Sequence, residues 1–268
     1  MAYFDGKVAI VTGGSRGFGR ILAQTFAAEG ASVVLAARGG ERLNEVAEDM
    51  RRDGRAVHTV PTDVLDDAQV DRLVAEAVDR FGRLDLLANC AGQSTRGGVL
   101  DTAPAEFQRL WELNFLATVR CTRAAAPHLL ATGGHLILVG SLASRVAPRY
   151  LGAYPASKFP LAAYAQQLRL ELGPDGLHVL LVCPGPIVRH DGSDRYARQA
   201  IGLPTAAQLP GGGARIRGLD PHRLAADVVR ACQRRSAEIV RPRKARLLFA
   251  LTQLVPTWGD WLLKRKTR

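Results

Sequence analysis

Cysteine is scarce in this 268-residue chain. The four present, Cys90, Cys121, Cys183 and Cys232, form no CxxC pair and stand near no histidine at metal-ligand spacing. This argues against a disulfide framework and against a zinc site, and no metal ligand is assigned. Each lies in or beside an apolar run, where a thiol reads as a small buried hydrophobe. Long apolar runs are also missing: none reaches the ~18 residues that a membrane-spanning helix needs. The opening MAYFDGKVAIVTGG has no basic stretch followed by a long apolar one, so a cytoplasmic chain without a secretory signal is expected. Acidic residues are fewer than basic ones, 25 against 36, for a net charge of +11. The segment from Arg241 to Arg268 alone carries +7, which leaves +4 on the other 240 residues, too little to mark the body as a nucleic-acid binder. With 47% hydrophobic and 23% charged residues, the chain has the composition of a folded globular protein, not of a disordered, collagenous or coiled-coil one.

Short apolar runs alternate with segments of helical period. Strands are expected at Lys7–Thr12, Ala31–Ala37, Ala56–Val60, Leu84–Ala88, His135–Val139, His178–Cys183 and Glu238–Val240. Helices are expected at Arg16–Glu29, Glu41–Arg52, Ala68–Phe81, around Pro104–Ala126, and at Pro155–Glu171 and Pro221–Arg234. Runs such as VAIVT, SVVLAA and LHVLLVC are apolar at nearly every position, as parallel strands buried on both faces must be. The fold class is therefore α/β: one doubly wound, mostly parallel sheet of about seven strands with helices on both faces. Residues 1–240 form the body. Within them, the Gly- and Pro-rich stretch 185–220 is too long for a simple connection and reads as a substrate lid or binding loop. Residues 241–268 form a basic amphipathic extension.

Directly after the first strand comes Thr12-Gly13-Gly14-Ser15-Arg16-Gly17-Phe18-Gly19, opening a helix. Glycines there allow a tight turn and close backbone approach to a pyrophosphate, and the helix start supplies free amides. This is the placement a Rossmann dinucleotide site requires, and it assigns Gly13, Ser15, Arg16, Gly17, Phe18 and Gly19 to cofactor binding. An acid ~20 residues further on would hold the ribose 2′-hydroxyl, but the second strand ends in Ala36-Ala37-Arg38. A guanidinium offers a fork of donors to a 2′-phosphate, so Arg38, aided by Arg16, points to NADP(H) over NAD(H). Asp63, followed by Val64, is placed to meet the adenine amine, while capping of the next helix falls to Asp66.

Ser141 closes the fifth strand, Tyr154 stands at a helix start, and Lys158 follows at i+4, on the same helix face. A phenol ordinarily titrates near 10 and needs a neighbouring cation to work as an acid or base at neutral pH. Lys158 supplies one. Together, TGGSRGFG, Asn89-Cys90-Ala91-Gly92, Asn114, Ser141, Tyr154-Pro155-Ala156-Ser157-Lys158 and Pro184-Gly185 resemble the short-chain dehydrogenase/reductase family over about residues 5–240. The resemblance implies hydride transfer between a nicotinamide cofactor and a carbonyl or alcohol carbon. It implies that Ser141 bonds the substrate oxygen, Tyr154 moves the proton, and Lys158 lowers the tyrosine pKa and holds the nicotinamide ribose. Asn114 would hold a water joining the lysine to solvent. Asn89, Ala91, Gly92, Pro184, Gly185 and Ile187 would line the cofactor. Two departures stand out: Cys90 replaces a second asparagine, and Pro160 removes an amide just past the site. A threonine usual a few residues after Pro184 is missing, and Arg189 and His190 nearby read as lid or surface residues.

In the extension, LLFALTQLV, Pro256 and then Trp258, Trp261, Leu262 and Leu263 lie between cationic ends. An anionic membrane surface, a neighbouring subunit of a homo-oligomer, dimer or tetramer, and the chain's own substrate cleft are all open as its partner. Cations grouped at two ends, not along a face, disfavour nucleic acid. Besides an oxidoreductase, a catalytically silent cofactor-binding regulator and an interaction protein on the same fold stand as alternatives. Intact Ser141, Tyr154 and Lys158 disfavour the regulator.

Overall fold

The computed structural model describes residues 2–188, 196, 199–209, 211, 213 and 217–266. Arg189 and His190 lie outside them. The strands are β1 (Val8–Thr12), β2 (Ser32–Ala37), β3 (Val57–Pro61), β4 (Leu86–Asn89), β5 (His135–Val139), β6 (His178–Pro184) and β7 (Glu238–Arg241). They form one sheet in the order β3-β2-β1-β4-β5-β6-β7, every pairing parallel. Chain order reverses between β1 and β4, which opens a crevice beyond the carboxyl ends of those strands.

Helices α1 (Gly17–Ala28), α2 (Gly40–Arg52) and α8 (Pro221–Gln233) cover one face. Their Leu22, Phe26, Leu43, Val46, Leu224 and Val228 pack with Ala9 and Val11. Helices α3 (Asp67–Phe81), α5 (Ala117–Ala131) and α7 (Pro160–Leu172) cover the other, packing Leu73, Cys121, Leu129 and Leu161 against Val8 and Ile10. Neighbouring β1 residues thus feed opposite cores, as a period of two dictates, and a strand between two helical layers must be apolar throughout. Asp66 caps α3, its carboxylate accepting from the Gln69 amide at 3.1 Å. Cys121, Cys183 and Cys232 are buried free thiols, each pushed up to about 12 chiefly by burial.

Three elements depart from the expected ones. The helix expected around Pro104–Ala126 is α4 (Pro104–Trp111), a π-turn over Glu112–Leu116, and then α5, which runs on to Ala131. The helix expected at Pro155–Glu171 is split into α6 (Tyr154–Lys158) and α7 by Pro160, which has no amide to donate into the preceding turn. The extension forms α9 (Ala245–Leu254) and α10 (Pro256–Lys266), and Ala245 and Phe249 are buried in the α3/α5/α7 core, so a boundary at residue 240 cuts across a packed cluster. The charge shift marked a change of surface, not of core.

At the opposite end of the sheet, register sets His135 beside His178, their Nδ1 atoms 2.8 Å apart. His178 Nε2 lies 2.9 Å from the Ser236 carbonyl, which can only accept, so the proton sits on Nε2 and His178 Nδ1 accepts from His135. His135 Nε2 then faces the Tyr3 hydroxyl at 3.4 Å. Cys232 lies beside the pair, and its carbonyl is also 3.4 Å from the Tyr3 hydroxyl.

Candidate active site

The turn after β1 is shaped by what cannot fit. A Cβ on Gly19 would stand 2.4 Å from the Gly13 carbonyl oxygen, and one on Gly13 would stand 3.0 Å from the Ala91 amide nitrogen. Gly13 and Gly17 also adopt left-handed φ values of 69° and 56°, which side chains disfavour. The β1 and β4 turns are thereby packed together. Thr12, absent from the residues inferred above, joins them: its hydroxyl accepts from the Cys90 and Ala91 amides at 3.1 and 3.2 Å.

Helix α1 starts at Gly17 with no side-chain cap, so its first amides are open to an anion. Ser15 and Phe18 are half-buried, and Phe18 packs on the α1/α2/α8 core. Arg16, in the turn, and Arg38, just after β2, are exposed, and neither takes part in an ion pair among the described residues. Val64 is buried, and Asp63 holds the Leu65 amide at 3.1 Å with one carboxylate oxygen. Asn89 is buried at the end of β4, and its Nδ2 has no hydrogen-bond partner among the described residues. A glycine cradle, an uncapped helix start and an unsatisfied buried amide fit a dinucleotide.

Across the crevice lie the groups inferred to react. Ser141 follows β5, and its hydroxyl accepts from the Ala143 amide at 3.1 Å while Ser144 Oγ accepts from the Ser141 amide at 3.2 Å, a reciprocal cap that fixes the turn. Tyr154 opens α6, half-buried. Ser157, one turn on, donates to the Tyr154 carbonyl at 2.7 Å.

Lys158 is 5% exposed and donates to the Val139 carbonyl at 3.0 Å, which ties α6 to the end of β5. Burial pushes its ammonium down to about 8, against a weaker opposite pull from the Cys90 and Cys183 thiols. The π-turn aims Asn114 inward: its Nδ2 donates to the Gln93 carbonyl and to Ser157 Oγ, both at 2.8 Å, and its Oδ1 accepts from the Gln93 amide at 2.8 Å. Gly92 leaves the space in which these groups meet, since a Cβ there would stand 2.8 Å from Asn114 Oδ1 and 3.4 Å from Lys158 Nζ.

The rim continues from β6 into the 185–220 stretch. Pro184 ends β6, and the Gly185 amide donates to the Arg241 carbonyl at 2.7 Å. Ile187 bridges to Leu219, so the two ends of the 185–220 stretch are stapled together. Its middle is clasped to the loop after β4: Ser94 Oγ lies 2.6 Å from the Tyr196 hydroxyl, and the Arg96 guanidinium stacks 3.6 Å over the Tyr196 ring. Arg96, 8% exposed, also donates to the Ala207 and Leu209 carbonyls at 2.8 and 3.3 Å. The same loop pairs through Gly97 with Leu151, three residues before Tyr154. The structure thus brings Gly92, Asn114, Ser157 and Lys158 together beside the end of β5, with Ser141 in the turn that follows that strand and Tyr154 one helical turn before Lys158.

The family model for short chain dehydrogenases matches residues 7–195. A glycine betaine reductase of Emericella nidulans is 36% identical over 231 residues, 85% of this chain, although the chain spans only 18% of that protein. A short-chain dehydrogenase/reductase of Burkholderia phymatum, solved in complex with NAD, superposes with a TM-score of 0.84 at 25% identity, covering 96% of each chain. The L-sorbose reductase of Gluconobacter frateurii, solved with NADPH and L-sorbose, superposes with a TM-score of 0.77 at 29% identity over 89% of this chain and 97% of its own. With the matched family model spanning residues 7–195, more than half of the chain, and the seven-stranded parallel sheet superposing on solved members, the chain belongs to the short-chain dehydrogenase/reductase family of oxidoreductases.

Proposed function

We propose that this protein transfers a hydride between NADP(H) and a carbonyl or secondary alcohol, with Tyr154 as the acid/base. The observation that carries the reading is the buried Lys158, held by Val139 and neighboured by Asn114, one helical turn from Tyr154. The nicotinamide supplies or accepts the hydride when bound. Gly13, Ser15, Gly17, Phe18 and Gly19 would hold its pyrophosphate; Asn89, Ala91, Gly92, Pro184, Gly185 and Ile187 would line the nicotinamide half, and Asp63 and Val64 the adenine.

Ser141 donates a hydrogen bond to the substrate oxygen and aligns it with the Tyr154 hydroxyl. Tyr154 gives its proton to that oxygen in reduction and takes it in oxidation. Lys158, cationic below about pH 8, favours the tyrosinate formed when the proton leaves. Asn114 positions the route by which the proton is replaced.

Choice of NADP(H) rests on Arg38 and Arg16, cations without ion-pair partners among the described residues where an acid would repel a 2′-phosphate. The B. phymatum relative is solved with NAD and the G. frateurii relative with NADPH, so the family accommodates both, and the two arginines are what supports NADP(H) here. The test is a panel of ketones, aldehydes and secondary alcohols followed by NADPH or NADP+ absorbance. Turnover of at least one carbonyl class supports the reading; a protein that binds NADPH but oxidises none of it with any carbonyl contradicts it.

A further inference from the structure

The C-terminal helical hairpin has two unlike sides. One is anchored: Ala245 and Phe249 are buried in the core, Leu248 and Leu263 pack on it, and Gly259 lies where a Cβ would stand 2.6 Å from Thr252 Cγ2, so α9 and α10 touch. The other side is apolar and open. Leu247 and Leu254 are 77% and 80% exposed, Trp258 and Trp261 are 68% and 59% exposed, and Val255 at the bend is 40% exposed. Residues 247, 250 and 254 make one stripe along α9, and 258, 261 and 265 one along α10. Cations flank the stripes: Arg243, Lys244 and Arg246 where the hairpin begins, Lys264 and Arg265 where it ends, all exposed, against Asp260 alone. The Arg265 guanidinium sits 5.4 Å from the centre of the Trp261 ring.

We propose that this hairpin is an interfacial anchor that seats the protein on an anionic lipid surface. Its helices have 10 and 11 residues, and among the described residues no helix is long and apolar enough to cross a bilayer, so the hairpin lies in the headgroup region. Tryptophan suits that depth because its ring is apolar and its N–H is satisfied by the wet boundary. The flanking cations match anionic headgroups. A second copy docked by the same face would oppose like charge with like charge, since six cations between Arg243 and Lys266 face only one acid. The anchor also leaves the body at the catalytic end of the sheet. The Arg241 carbonyl that ends β7 accepts from Gly185, and Leu142, next to Ser141, shares a hydrophobic cluster with Phe249.

The experiment is sedimentation of the full-length protein with vesicles of phosphatidylcholine alone and of phosphatidylcholine with phosphatidylglycerol. Partition into the anionic vesicles should exceed that into the neutral ones at least tenfold and fall as salt is added. Each cation near such a surface is worth roughly fivefold, so Lys264→Glu with Arg265→Glu should lower partition by roughly 25-fold or more. Trp258→Ser with Trp261→Ser should abolish it, while circular dichroism and cofactor binding stay unchanged because both rings are exposed. Failure of the full-length protein to sediment with anionic vesicles, or undiminished binding of the double-tryptophan variant, overturns the proposal. So does a loss of oligomeric mass by light scattering in that variant when vesicles have no effect on the native chain, which would assign the face to a second copy.

Discussion

At the residue scale, the site sets charge against burial. Lys158 is 5% exposed with its ammonium pushed down to about 8, so at neutral pH the fold keeps a cation where solvation is poor. An unfolded lysine titrates near 10.4 and binds more protons than the folded one between that value and about 8, so stability rises with pH across this window and is lowest below it. Lys158→Met removes the desolvated charge but leaves the Val139 carbonyl without its donor, which returns about 1 kcal/mol. The cofactor-free variant should therefore be more stable at pH 7 by roughly 1–2 kcal/mol, read by thermal melting, while its turnover collapses. A less stable variant would mean the ammonium is better solvated than its burial implies. Arg38 is the second residue-scale test. Losing one charged hydrogen bond to a phosphate costs ~1.5–3 kcal/mol, so Arg38→Ala should weaken NADPH binding by roughly 10- to 150-fold with little effect on NADH in calorimetric titration. An unchanged preference would remove Arg38 from the cofactor site.

At the element scale, α9 is part of the main core and not an appendage. Phe249 is 9% exposed within the α3/α5/α7 cluster, so Phe249→Ala should cost ~3 kcal/mol in denaturant unfolding and truncation after Val240 at least as much. A neutral Phe249→Ala would show the hairpin undocked. Periodicity and charge alone do not show this docking, because the cationic ends of the extension dominate its composition. The sheet was legible for the opposite reason: strands such as VAIVT are buried at every position, and that run stops at Gly13-Gly14. Pro160 marked a missing amide, but the helical period runs on through it, so the α6/α7 break was not read from the pattern. The π-turn that aims Asn114 inward was not, since one extra residue in a helical turn leaves no mark on the hydrophobic pattern. Thr12 and Ser157 act by bonding backbone and side chains brought together by tertiary structure, and Arg96 by bonding carbonyls more than a hundred residues away. Residue type and local spacing carry no record of such partners.

At the scale of the whole molecule, the base of the sheet should make the fold acid-sensitive. Burial, followed by the charges of His178, Lys7 and Arg235, pushes His135 down to about 3, and burial likewise lowers His178. Unfolded histidines titrate near 6.5, so the unfolded chain binds more protons between about 6.5 and 3. The contribution of the pair is complete above 6.5 and is lost as pH falls through that window, on the order of a few kcal/mol. His135→Gln should flatten the stability slope between pH 7 and 4 in urea titrations relative to the native chain. Parallel slopes would mean that the pair stays solvated.

The proposed oxidoreduction turns on one transferable proton, that of Tyr154. The most direct measurement is single-turnover oxidation of NADPH by the native protein and by Tyr154→Phe, using a carbonyl the native protein accepts, with cofactor affinity titrated in parallel. Removing only the phenolic hydroxyl should lower the rate by ~10²–10⁴-fold and leave NADPH affinity and melting temperature essentially unchanged. A Tyr154→Phe protein that turns over at the native rate would contradict the account.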